Sequence, residues 1–372
     1  MSFGPVDDAL HEGVRQGVYA GAVLLVSREG ETLFERAVGE RISEPERAPM
    51  HPDVVFDLAS LTKPLATTLA FLQLVGKGRV GLDDKLSRFF PNYAVHGKRD
   101  TTFRHLLVHS SGLAPHRPFW KIAGTLGRPN FVPSREARAW VWEQIQREKQ
   151  DTAPGTQAVY GDLGFIALGQ TIETLTGVQL DRWCQQQLFG PLKLRSIGYI
   201  DLMKVLAQRV APVDSVIAAT QRCSWRKRIL CGEVDDENCW LMGGVAGHAG
   251  LFGTARDVDS LATSLERMGR GQEGFLPAGL VRQMWTIDPA IPGSTRTLGW
   301  DTPSQKNSSA GTRLQGRRLV GHLGYTGTSL WMDLDTRVNV VLLTNRGHPR
   351  RENDRIKDFR PKLHDLIWEA VA

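Results

Sequence analysis

The sequence predicts a mixed α/β (α+β) fold: one antiparallel sheet built from both chain ends, helices packed on it, and a mainly helical lobe inserted between. Three observations carry this. Residues 21–40, "GAVLLVSREGETLFERAVGE", read as two strands around a glycine-containing turn. Residues 328–345, "TSLWMDLDTRVNVVLLTN", repeat that pattern near the other end. Between them the apolar spacing becomes helical, as in "REARAWVWEQIQREKQ" and "LGFIALGQTIETLTG", with Gly/Pro loops as connections.

Each element has its own signal. Val6, Leu10 and Val14 share one helical face, so a helix precedes the first hairpin. A last helix is expected after Pro361, with Leu363, Leu366, Ile367 and Ala370 on one face. Both termini are therefore strand-rich with a flanking helix. The expected organisation is residues 1–80 plus 275–372 as the sheet lobe and 81–274 as the helical lobe, interwoven in one domain. No repeat, low-complexity tract or linker interrupts it.

Composition narrows the function classes. The 372 residues are 41% hydrophobic and 23% charged, ordinary for a globular enzyme-sized chain. A net charge of +6 with interspersed signs is too small to argue for nucleic acid. The runs Arg222, Arg226, Lys227, Arg228 and Arg346, Arg350, Arg351, Arg355 read as solvated faces. Cys184, Cys223, Cys231 and Cys239 lack any CxxC or zinc spacing, so neither a metal site nor a disulfide framework is expected. The acidic "MSFGPVDDALHEGVRQG" has no apolar signal core, and "VYAGAVLLVS" is about half a membrane span. A cytoplasmic protein with no membrane partner is the expectation.

The chemistry is expected at "VVFDLASLTKPLAT", residues 54–67. S-x-x-K puts Ser60 and Lys63 one helical turn apart on one face. A serine hydroxyl needs a neighbouring base, and a lysine serves if its pKa is depressed. The motif is weak alone: a second match, Ser224 to Lys227, lies in a basic stretch read as surface. Ser60 instead follows a strand-like "VVF" and opens a helix-like run, and Pro64 is tolerable only near a helix start. A second signal is Tyr160-Gly161-Asp162 after a Pro-Gly turn; such a tyrosine can shuttle a proton, and the aspartate can hold the lysine or a substrate amide. Tyr199-Ile200-Asp201 is a decoy without that turn or the helix after it. The third is "VGHLGYTGTSLWMD", where Gly321 and Gly324 bracket His322 before a strand. Small residues there admit a substrate to the backbone, and His322 offers a donor or an acid/base.

These pieces, in this order, resemble the serine β-lactamase and penicillin-binding-protein superfamily, whose elements are S-x-x-K, Y-x-N and K-T-G. The likeness is greatest to the class C β-lactamase-related branch with its esterases and D-amino-acid peptidases, where H-T-G is common. "TTFRHLLVHSSGLAP", "GEVDDENCWLMGGVAGHAGLFGTARDV" and "LGWD" extend the similarity over nearly the whole chain. The resemblance implies a β-lactamase/transpeptidase-like fold with Ser60 as acylated nucleophile, Lys63 as base and Tyr160 as proton partner. Asp162 stands in the Asn place, and His322 where the family has Lys or His. The backbone N–H groups of Ser60 and Tyr325, beside Gly324, would form the oxyanion hole.

One position departs from the family: its Thr or Ser before the glycine is Leu323. Leucine cannot help to bind a substrate carboxylate, so a cation such as Arg226 would have to compensate. With Asp162 adding negative charge, the expectation shifts to an acyl-serine hydrolase of small esters, amides or peptides, needing no cofactor. A β-lactamase or D-Ala-D-Ala carboxypeptidase is the alternative, and a non-catalytic binding protein the third. "GGVAGHAGLFG" reads as a glycine-rich loop at the cleft with His248 as a lining candidate, and "EVDDEN" as a solvated acidic turn. The oligomeric state is not legible.

Overall fold

The computed structural model describes residues 2–126, 133–208, 216–291, 293–314 and 316–372. Its strands in chain order are β1 (Gly21–Arg28), β2 (Glu31–Ile42), β3 (Ala48–Pro49), β4 (Phe56–Asp57), β5 (Gly198–Tyr199), β6 (Gln221–Cys223), β7 (Arg228–Leu230), β8 (Leu251–Gly253), β9 (Leu319–Leu323), β10 (Ser329–Asp333) and β11 (Val338–Thr344). The main sheet has six strands in the order β3-β2-β1-β11-β10-β9, all antiparallel. Its centre is the pairing of β1 with β11, from Ala22 opposite Thr344 to Arg28 opposite Val338. The two chain ends are thus joined by a backbone ladder, as the two hairpins predict.

β1 and β11 read as nearly unbroken apolar runs because both faces of the sheet are covered. Val23, Leu25, Val341 and Leu343 face the main core, where the helix Ala255–Gly269 packs. Leu24, Val26, Val340 and Leu342 face a second cluster under the helices Gly4–Arg15 and Ile356–Ala370. The first hairpin turns at Glu29 and Gly30, both left-handed (φ 57° and 87°), which suits the twist of a two-residue turn.

Two expectations need correction here. The last helix starts at Ile356 and carries Pro361 inside it. The Lys357 N–H to Asp354 and Phe359 N–H to Arg355 carbonyl bonds close its first turn ahead of the proline. The two basic runs are also not simply solvated. Arg226 is buried against the rings of Trp225 and Trp240, and Arg346 is buried over Tyr325. Long side chains with flat guanidinium ends can cover aromatic surface while donating to carbonyls, which a count of charges does not reveal.

A smaller sheet, β4-β8-β5, places the Ser60 segment. β4 runs directly into Ser60, and β8 follows the glycine-rich loop 243–250. The Leu58 N–H donates to the Leu251 carbonyl (2.9 Å), so this loop and the Ser60 segment are held side by side. No described helix is long and apolar enough to cross a membrane.

The central ladder makes a stability prediction. Leu342 is fully buried on β11. Leu342→Ala should cost about 2–5 kcal/mol, read as a lowered urea midpoint with an unchanged m-value.

Candidate active site

Ser60 lies in a segment held against its own preference. Asp57, fully buried, accepts the Ala59 N–H (2.9 Å) with one carboxylate oxygen and the Asp235 N–H (2.7 Å) with the other. Ala59 is left-handed at φ 48°, a conformation that costs an L-residue about 1–3 kcal/mol and tends to occur at functional sites. Ser60 follows within the 3₁₀ turn Ala59–Leu61. The chain then widens into a π turn over Lys63–Thr68 before the helix Leu69–Gly76. Pro64 has no N–H to give back to this turn. The Thr62 hydroxyl takes over by donating to the Ala59 carbonyl (2.6 Å), while accepting the Leu251 N–H (3.0 Å).

Lys63 is completely buried, and its ammonium has three partners. It donates to Ser60 Oγ (3.1 Å), Asp162 Oδ1 (2.8 Å) and the His248 carbonyl (3.2 Å). It also lies 4.9 Å from the ring centroid of Tyr160 and 5.8 Å from that of Phe165. Burial alone favours the neutral amine. Asp162, and after it Tyr160, outweigh burial and hold Lys63 above the ordinary lysine range. The depressed pKa that the motif suggests is thus replaced by a stabilised ammonium. Asp162 shows the converse. Burial pushes its carboxyl up, but Lys63, His116 and His248 hold it well below the carboxylate range. His116 Nδ1 is 3.5 Å from the second Asp162 oxygen, and that bond, against partial burial, raises its pKa.

Tyr160 is packed between two histidines, with ring centroids 4.6 Å from His109 and 5.6 Å from His322. The Arg296 guanidinium lies 5.0 Å from its ring and is paired with Asp301 (3.1 Å). His109 is itself left-handed (φ 58°), and its Nδ1 accepts the Gly161 N–H (3.2 Å), fixing the chain next to Tyr160. Gly161 admits no side chain, since a Cβ would come within 2.7 Å of Pro115 Cα. His322 is buried, with Nδ1 2.8 Å from the Leu323 carbonyl. A carbonyl only accepts, so Nδ1 carries the hydrogen and the unpartnered Nε2 presents a lone pair. Burial first, then Lys63 and Arg296, push its pKa down to about 3. His322 is therefore neutral, with the buried Nε2 as its acceptor nitrogen, not the donor considered from sequence.

The turn after β9 completes the site. Gly324 is irreplaceable there, because a Cβ would lie 2.0 Å from Thr328 Oγ1 and 2.5 Å from the Leu58 carbonyl. The Thr326 hydroxyl donates to the Asp57 carbonyl (2.7 Å) and the Thr328 hydroxyl to that of Leu58 (3.2 Å). These bonds dock the turn onto the segment preceding Ser60. The Ser60 and Tyr325 N–H groups are not taken up by any carbonyl or side chain among the described residues. The Tyr325 carbonyl accepts two bonds from Arg346 (2.9 and 2.6 Å).

Ser60, Tyr160, Asp162, His248, His322, Leu323, Gly324 and Tyr325 all line one cleft of about 960 Å³, with Lys63 beneath Ser60. Leu323 is half-buried and packs partly on the cluster under the terminal helices. The decoy Tyr199 and Asp201 do not line this cleft, and neither does Arg226, which donates to the Val234 and Asp235 carbonyls elsewhere. The acidic stretch is not a solvated turn: Asp235 and Glu237 are buried, Asp236 Oδ1 lies 2.9 Å from His248 Nε2, and Glu237 is bonded to Arg351. No cluster with metal-ligand character occurs among the described residues. Sequence reasoning missed Asp57, His109, His116, Arg296 and Arg346. His116, Arg296 and Arg346 reach the site through contacts distant in sequence, whereas Asp57 lies within the 54–67 stretch, and only its bond to the Asp235 N–H spans the chain.

The chain is a serine hydrolase by family, and Ser60 lines its cleft above the buried Lys63. The family profile described as Beta-lactamase matches residues 6–361, and the chain belongs to that family. It is 30% identical over 365 residues to an N-acetylmuramyl-L-alanine amidase of Bacillus subtilis, covering 92% of this chain and 80% of that protein. Among solved structures it is similar to EstCE1, a hydrolase with promiscuous acyltransferase activity, at a TM-score of 0.70 and 23% identity, covering 95% of this chain and 97% of that one. The octameric penicillin-binding protein homologue from Pyrococcus abyssi shares the fold at a TM-score of 0.74 and 21% identity, covering 99% of this chain and 78% of that one.

His322 sets a pH-dependence. Unfolded, its imidazole binds a proton below about pH 6.5, but folded only below about pH 3. The unfolded state holds more protons in that window, so this residue makes stability fall as the pH drops through it. His322→Gln should lose less stability than wild type between pH 7 and pH 4, measured by urea midpoints at each pH.

Proposed function

We propose that this protein is an acyl-serine hydrolase of small esters or amides, of carboxylesterase or small-peptide amidase type, with Ser60 as nucleophile. The observation that carries the reading is the Lys63 ammonium bonded at once to Ser60 Oγ and Asp162, opposite the free N–H groups of Ser60 and Tyr325. In its neutral form, which Asp162 disfavours, Lys63 takes the Ser60 proton as Oγ attacks the carbonyl. Asp162 stabilises the ammonium that results. The two N–H groups hold the tetrahedral oxyanion, where each such donor is worth about 3–4 kcal/mol. Tyr160, beside His322, gives its hydroxyl proton to the leaving group and recovers one from the Lys63 ammonium, which restores the neutral amine. Water then attacks the acyl-serine by the same route. The amidase relative supports the amide side of this substrate range.

The reading is tested by intact-protein mass after exposure to a short-chain p-nitrophenyl ester, a fluorophosphonate, a penicillin and a D-Ala-D-Ala peptide. A single adduct is expected with the ester or the fluorophosphonate, absent from Ser60→Ala. Folded wild-type protein that forms no adduct with any of the four would overturn the assignment.

The Lys63–Asp162 pair adds a kinetic expectation. Because Asp162 holds Lys63 protonated, ester turnover should rise with pH as the neutral amine becomes populated. Asp162→Asn removes that hold and should move the rise to lower pH. An unmoved profile would take Lys63 out of the base role.

A further inference from the structure

Asp57 is bonded to both sides of the oxyanion pocket. Its carboxylate accepts the Ala59 N–H (2.9 Å) with Oδ1 and the Asp235 N–H (2.7 Å) with Oδ2. Its backbone carbonyl accepts the Thr326 hydroxyl (2.7 Å), and the next carbonyl, of Leu58, accepts the Thr328 hydroxyl (3.2 Å). The peptide that follows Ala59 carries the Ser60 N–H, so the left-handed backbone of Ala59 sets where that N–H points. Thr326 follows Tyr325 directly, so the same residue also moors the second N–H. Asp57 itself does not line the cleft.

An anion is costly at this place. Asp57 is 1% exposed, and no cation is bonded to it among the described residues. Burial first, and also the neighbouring Asp235 and Asp236 carboxylates, push its pKa up to about 7, while the two N–H bonds oppose them. The cations of that acidic stretch are engaged elsewhere: Arg351 with Asp235 and Glu237, Arg226 with Glu233. The geometry gives the reason for an anion here. Both carboxylate oxygens face N–H donors, so only an ionised carboxylate can accept at both ends. A protonated acid or an amide would set one donor against another.

We propose that Asp57 is a positioning residue for the oxyanion hole, fixing the aim of the Ser60 N–H through its carboxylate and of the Tyr325 N–H through its carbonyl. It acts without touching the substrate. The inference rests on the hydrolase reading and adds to it a group that tunes transition-state stabilisation rather than substrate binding.

The test uses whichever reagent marks Ser60 in the wild type, the p-nitrophenyl ester or the fluorophosphonate. With the latter, the Oγ–P bond forms as fluoride leaves and Lys63 takes the proton. The maximal rate is separated from the half-saturating concentration, well above pH 7, where Asp57 is ionised. Asp57→Asn should slow the maximal rate about 100-fold, the range for a lost oxyanion donor, and leave half-saturation within about threefold. Thr326→Val removes only the mooring of the turn and should slow the rate about tenfold with the same split. It keeps the proposal open to refutation if Asp57→Asn does not fold. A wild-type rate in either folded variant, or a loss carried by half-saturation, would overturn the proposal and leave the hydrolase reading standing. A wild type that forms no adduct would remove both.

Discussion

The site depends on one buried ammonium. Lys63 has lost all its water, and an unpaired ion there would cost several kcal/mol. Asp162, the Ser60 hydroxyl and the His248 carbonyl replace that hydration, and each comes from a different stretch of chain. The Ser60 segment, the Tyr160 loop and the glycine-rich loop must therefore meet at a single nitrogen for it to be tolerated. Much of the architecture around the cleft can be read as what enforces that meeting. The same pairing that makes the lysine tolerable also holds it protonated, so the stability of the site and its readiness to accept a proton pull in opposite directions.

The backbone near Ser60 shows the same opposition. Ala59 and His109 both adopt left-handed conformations beside reactive groups. Neither would keep them alone. Ala59 is held by the Asp57 carboxylate below and the Thr62 hydroxyl above, and His109 is wedged against Tyr160 and Phe165. The turn 324–328 is tied to Asp57 and Leu58 by two threonine hydroxyls. Strain and clamp occur together, which is how a fold keeps N–H groups aimed at a place where no protein acceptor stands.

The central sheet supplies the rigidity for these clamps. β9 and the turn after it hang from β10 and β11, and β11 is zipped to β1 from the opposite chain end. The terminal helix closes the outer face and brings Arg360 to the Gly327 carbonyl. A single scaffold thereby carries His322 and the Tyr325 N–H along one edge of the cleft, while the segment leading into the helix Leu163–Thr176 contributes Tyr160 and Asp162.

Much was legible in the sequence where signals are local. Alternating and continuous apolar runs marked both hairpins, because strand burial repeats over a few residues. S-x-x-K, Y-G-D and the His322 segment were visible because each is a short pattern set by one turn of helix or one strand end, and their order pointed to the fold family. What tertiary structure alone decided is everything that depends on a partner far along the chain. The Lys63 pKa direction is set by Asp162, 99 residues away, which reverses what the motif by itself suggests. The lowered pKa of His322 follows from its burial and from Lys63 and Arg296, both distant in sequence. The fate of the basic runs likewise depended on neighbours: Arg226 ended among tryptophans, Arg346 on the Tyr325 carbonyl. Residue types and their spacing determine which groups can react; the solvent that each loses and the charge that each meets on folding determine in which protonation state they do so.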